Sequence, residues 1–185
     1  FTGIGEREQT LNLEGTSTKD AFLAKIEAAV KAAKPGDWVT GRGWIETFWT
    51  PPVFPTRHDL DKIAPNNPVL LTRADGHASI ANSAALKLAE VSGATPAPAG
   101  GAINLDVDGE PTGMLIDRAQ GMVRRLVPPP TEEQLERALE LASERSVMLG
   151  WTQIQDAHGS WGEVARMRKL CNEGRIKVRL FKAIS

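Results

Sequence analysis

Strand-like and helix-like segments alternate four times along this chain, and the joins between successive strand-like runs are mostly long enough to hold a helix. An antiparallel pair needs only a tight turn, whereas a parallel pair needs a crossover of a dozen residues or more. The pattern therefore predicts an α/β fold resting on parallel strands. Residues 18–34 carry Phe22, Ile26, Ala29, Val30 and Ala33 at helical spacing, with Ser17 or Thr18 as cap and Pro35-Gly36 as stop. Trp38 to Trp44 reads as a strand whose Gly41 and Gly43 let something approach the backbone closely. Thr56 caps a short helix that Pro65 ends, and a strand over 69–73 precedes a helix over 82–90. Residues 102–105 and 113–116 flank Asp108-Gly109, a hairpin turn signal, and a helix covers 115–125. Thr131 to Gln134 and Ser160 to Glu163 are capping boxes for two further helices. Residues 152–156 and 177–184 are the last strands.

Composition narrows the function more than the fold. The 185 residues can bury one sizeable core. The 22 basic and 23 acidic residues nearly cancel, which argues against a nucleic-acid or membrane-surface partner. The lone Cys171 cannot form an internal disulfide, and at its place in a helical pattern it reads as a core thiol. The cytoplasm is the default compartment. Phe1-Thr2-Gly3-Ile4-Gly5 reads as the tail of an element begun upstream, and the chain stops just after its last strand-like run.

The segment from Pro68 to Leu88 carries the best chemical signal. An apolar run, Val69 to Leu71, leads into Asp75-Gly76-His77, and a helix opens near Asn82-Ser83. Read as strand, loop and helix, this puts two titratable side chains where βα folds place their chemistry. A neutral His77 could bond substrate or intermediate, with Asp75 orienting its ring. Asp156 ends a strand and is followed by His158, so it could orient a ligand or simply cap a turn. Two such residues are too few for a metal site. Trp44 is either a pocket wall or a core residue, and Asn82 either reaches substrate or caps its helix. No Gly-x-Ser-x-Gly elbow is present, and no Cys lies near a strand end.

Several motifs together resemble amidohydrolase family 3, the group that includes N-substituted formamide deformylases. They are Gly41-Arg42-Gly43-Trp44, Phe54-Pro55-Thr56-Arg57 with Leu60-Asp61, and Asp75-Gly76-His77 with Asn82-Ser83-Ala84-Ala85-Leu86. Gly109-Glu110-Pro111-Thr112-Gly113, Pro128-Pro129-Pro130-Thr131, Leu149-Gly150-Trp151-Thr152 and Asp156-Ala157 follow in the family's order. The resemblance implies a metal-dependent (β/α) TIM-type barrel hydrolysing non-peptide, amide-type carbon–nitrogen bonds, with a divalent metal, zinc, that polarises the carbonyl and generates hydroxide. It implies a His-x-His metal motif on the first barrel strand. Later strands would supply a metal-bridging lysine, further histidines and an aspartate. Phe1-Thr2-Gly3 aligns just after the His-x-His, and the surroundings of Lys182 resemble the strand before the lysine-bearing one.

The resulting expectation is a partial barrel domain over 1–185. It holds about four parallel strands alternating with helices, and a hairpin is inserted at about 100–117. The upstream and downstream metal-ligand strands are absent from it. His77, Asp75 and Asp156 are the catalytic candidates, and Trp44 and Asn82 the substrate-binding ones. No residue of the chain is assigned to the metal, and none is expected to hold one tightly. The isolated chain is expected to be inactive and either to self-associate or to need its missing barrel half. The rival reading is a non-catalytic α/β binding or interaction module of the same ancestry.

Overall fold

The computed structural model describes residues 1–157 and 159–184, which form two compact units. One unit is continuous, Leu11–Pro128; the other joins Phe1–Thr10 to Pro129–Ser185. Residues 11–128 hold a six-stranded sheet and two core clusters of their own.

The continuous unit contains β1 (Leu11–Asn12), α2 (Lys19–Ala32), β2 (Val39–Trp44), α3 (Arg57–Ile63), β3 (Val69–Arg73) and β4 (Ala78–Ala81). It continues with α4 (Ser83–Leu88), β5 (Gly101–Leu105), β6 (Pro111–Asp117) and α5 (Gln120–Arg124). The helix starts follow local chemistry: Thr18 and Asn82 accept hydrogen bonds from Ala21 N and Ala85 N, and Thr56 forms a capping box with Asp59. The strands form one six-stranded sheet in the order β1-β2-β3-β4-β6-β5. The β1–β2–β3 pairings are parallel, as long crossovers require, and the remaining pairings are antiparallel.

The sheet is therefore mixed, and the reason lies in residues 74–77. They are too few for a crossover, so the chain folds back and residues 78–81 pair antiparallel with β3. This corrects the reading of that stretch as a loop before a helix. The expected hairpin forms as β5–β6, and β6 also pairs with β4, which carries the hairpin into the sheet.

β3 is buried on both faces, so its apolar residues run continuously instead of alternating with polar ones. Leu71 and Ile80 face Phe22, Ile26 and Leu60 of α2 and α3. Leu70 and Ala81 face Leu86 of α4 and Val123 of α5. Full burial of a side chain such as Leu71 contributes roughly 2 kcal/mol.

The second unit contains α1 (Thr2–Gln9), α6 (Glu132–Met148), β7 (Gln153–Asp156), α7 (Trp161–Asn172) and β8 (Arg179–Lys182). Thr131 and Ser160 complete the two capping boxes expected of them. β7 and β8 pair in parallel across α7. Leu139, Met167, Leu170, Ile176 and Val178 form the core, with Ile154 and Leu180 against it. α1 lies against α6 through Gly5, where any Cβ would collide with the backbone of Ala138. Cys171 is exposed. The residue that faces inward is its neighbour Leu170, and one helical step turns Cys171 away from the core. Among the described residues, no helix is long and apolar enough to cross a membrane.

Candidate functional site

Asp75, Gly76 and His77 make the tight turn between β3 and β4, at the C-terminal end of the parallel strands. Gly76 supplies the left-handed backbone, with φ +79°. Asp75 Oδ1 accepts from His77 N at 3.1 Å, and its other carboxylate oxygen pairs with Arg73. Arg73 in turn donates from Nε and Nη2 to the two oxygens of Glu46, each at 2.8 Å. Glu46 is 7% exposed. Its hydrogen bond from Arg73 holds the carboxyl below the ordinary carboxylate range and outweighs burial, which acts the other way.

The structure assigns Asp75 a different part from the one expected. It caps the turn's backbone and does not touch the ring of His77. The ring's partner is Asp117 at the end of β6, with Nδ1 and Oδ1 2.8 Å apart. That hydrogen bond, the charge of Asp117 and then the charge of Asp75 hold the imidazole's pKa above its ordinary 6.5, although the side chain is 77% exposed. Sequence reading misses Asp117 because forty residues separate the pair. The one local signal is its positive φ of 46°, which only coordinates reveal.

Asn82 is a structural knot, which corrects its candidacy as a substrate contact. Oδ1 accepts from Val69 N and Ala85 N, each at 3.0 Å. Nδ2 donates to Ala64 O at 3.1 Å and Asn67 O at 2.8 Å. Both amide hydrogens and both lone pairs are thereby occupied, and the side chain is fully buried. It also sits at the start of β3, the end opposite the His77 turn.

Trp44 is a core residue, not a pocket wall. It is fully buried, donates from Nε1 to Leu71 O at 3.1 Å, and packs against Phe22 and Trp49 with ring centroids 5.8 and 6.1 Å away. The glycines beside it admit neighbouring protein, backbone at Gly41 and a side chain at Gly43, not ligand. A Cβ on Gly41 would stand 2.7 Å from Leu11 O, and one on Gly43, at a bulge with φ +101°, would run into Glu14.

Asp156 belongs to the other unit. It ends β7 directly beside Lys182 of β8, whose Nζ lies 2.7 Å from Oδ2. The backbone nitrogen of Phe1 is 3.3 Å from Oδ1. Burial pushes the Asp156 carboxyl up, but the hydrogen bond and charge of Lys182 pull it down, and the group is held below 3.8. His158 lies outside the described residues.

A carboxyl lowered in this way stabilises the fold above its ordinary pKa and loses that contribution as pH falls through the folded value. Lys182→Met removes the buried partner, and its expected cost is about 2 kcal/mol at neutral pH. The variant should also lose less than the parent on acidification below pH 3.8. Denaturant melts at neutral and acid pH check this; equal acid losses in both proteins would remove the pair from the explanation.

Among the described residues, no group of three or more His, Cys, Asp or Glu side chains is arranged to hold a metal ion. The described residues therefore do not fit a metal centre.

The comparisons with known proteins agree with one another. A family model described as "Amidohydrolase family" matches residues 2–184. YtcJ of Bacillus subtilis (strain 168), named as an amidohydrolase, is 41% identical over 140 residues, covering 76% of this chain and 26% of that protein. The N-substituted formamide deformylase of Arthrobacter pascens is 37% identical over 145 residues, covering 76% of this chain and 27% of that protein. This chain thus spans about a quarter of the length of those relatives. In fold, it superposes with a TM-score of 0.63 and 22% identity on the crystal structure of an uncharacterized metal-dependent hydrolase from Pyrococcus furiosus, over 99% of this chain and 35% of that one. Matched over nearly its whole length, the chain belongs to the amidohydrolase family.

Proposed function

We propose that this chain is a segment of a metal-dependent hydrolase that cleaves non-peptide, amide-type carbon–nitrogen bonds in small molecules. The observation that carries the reading is the family match over residues 2–184. The likeness to a protein named for deformylating N-substituted formamides supports the substrate class. On this reading the metal is a divalent ion, zinc, held by residues beyond those described, and the compartment is the cytoplasm.

Within the segment, His77 is the substrate-facing residue. Its exposed ring can offer Nε2 to a carbonyl oxygen or to the oxyanion that amide cleavage develops. Asp75 fixes the backbone of the turn. Asp156 remains a candidate pocket residue of its own unit, although Lys182 already holds its carboxylate.

The isolated 185-residue chain is expected to be inactive and to self-associate, since among the described residues β7 and β8 form a sheet of only two strands and Phe181 is 64% exposed. Formamide and N-acyl amine hydrolysis, assayed with and without a chelator, tests the first point. Chelator-sensitive turnover by the isolated chain would overturn the inactive-segment reading. Protein of the relatives' length carrying these residues should turn such substrates over, and failure on every amide-type substrate would overturn the functional assignment.

A further inference from the structure

The turn that carries His77 is anchored more firmly than an exposed turn requires. Gln120, only 5% exposed, donates from Nε2 to Gly76 O at 3.0 Å. Its Oε1 accepts from Ser79 Oγ at 2.5 Å and Arg124 Nη2 at 3.2 Å. Asp117 N donates to His77 O at 2.8 Å, while its carboxylate meets the ring at the same distance. Asp117 reaches this position with φ +46°, a conformation that few residues other than Gly adopt. Aspartate is one of the few such residues that tolerate it. An imidazole that is 77% exposed gains little from packing, so what these bonds secure is the ring's direction.

We propose that Asp117 is the positioning residue of His77: it takes the Nδ1 hydrogen, fixes the ring, and leaves Nε2 turned away from the carboxylate toward an oxygen ligand, a carbonyl or an oxyanion. The proposal rests on the reading of His77 as the substrate-facing residue. Among the described residues, Nε2 has no protein partner. In the neutral ring Nε2 is an acceptor, and in the protonated ring it is a donor. The charged groups around the ring are Asp117 from β6 and Asp75 from the turn itself, the latter also engaged by Arg73 of β3. Both carboxylates favour the imidazolium, the form that donates to an oxygen.

The test is ring 15N NMR of the 185-residue chain across pH, for the parent, Asp117→Asn and Asp75→Asn. Asn tolerates the left-handed backbone, so Asp117→Asn should fold, and backbone amide signals of β4 and β6 verify that. The parent should show the Nδ1–H tautomer in its neutral form and a midpoint above 6.5. In Asp117→Asn the midpoint should fall toward 6.5, because the charge is lost, whereas Asp75→Asn should keep the Nδ1–H tautomer. A parent ring protonated on Nε2, or an unchanged midpoint in Asp117→Asn, overturns the proposal.

Hydrolysis by protein of family length separates it from the reading beneath it. If His77→Gln lowers turnover but Asp117→Asn leaves the pH profile in place, the role of Asp117 fails and that of His77 stands. If His77→Gln leaves turnover intact, both fail.

Discussion

Replacing Asn82 with Ala should destabilise residues 11–128 by about 4 kcal/mol, because four buried hydrogen bonds vanish at roughly 1 kcal/mol each. The estimate follows from where the partners sit. Val69 N opens β3, Ala85 N lies in the first turn of α4, Ala64 O closes α3, and Asn67 O belongs to the turn between α3 and β3. One side chain thus ties three elements together, and an alanine leaves all four backbone groups dry and unpaired. An aspartate in its place would keep both acceptor bonds but lose both donors and bury a charge, so Asn82→Asp should be no milder. Urea melts followed by tryptophan fluorescence measure the loss. A cost below about 1 kcal/mol would mean that water reaches the site and replaces the amide.

Trp44→Ala should cost a similar amount, about 4 kcal/mol, as removal of a fully buried large aromatic side chain does. Phe22 and Trp49 stack around a ring that would no longer be there, and Leu71 O would lose its donor. Trp44→Phe separates the two effects: it keeps most of the packing and forfeits the hydrogen bond, so its cost should be near 1–2 kcal/mol. The same melts decide the matter. A Trp44→Ala protein of near-parental stability would restore the pocket-wall reading that full burial now argues against.

These residues also mark how far the sequence can be read. Helix starts are legible because capping is local chemistry: Thr18, Thr56, Asn82, Thr131 and Ser160 each cap the helix that follows. β4 is not legible. Ala78-Ser79-Ile80-Ala81 has one β-branched residue and leads straight into a helix, and only pairing with β3 and β6 makes it a strand. α1 is hidden by Gly3 and Gly5, poor helix formers on their own, of which Gly5 is explained by the backbone of Ala138 alongside it.

For the site, the turn and its histidine stand out in the sequence as a polar cluster after an apolar strand. The carboxylate that meets the ring does not, since β6 joins the turn only through the antiparallel sheet. Asn82 and Trp44 illustrate the opposite case: residue types suited to binding are spent on backbone bonds and core packing.

One feature of the fold governs the order in which this chain can become structured during synthesis. The unit holding α1 is interrupted at Thr10 and resumes only at Pro129. A ribosome adding ~10 residues per second makes the whole six-stranded unit before the first residue of α6 exists, an interval of about ten seconds. During that time α1 has no α6 to cover it, and its glycines give it little helicity of its own. Residues 11–128 are therefore complete before residues 1–10 meet the helix they pack against.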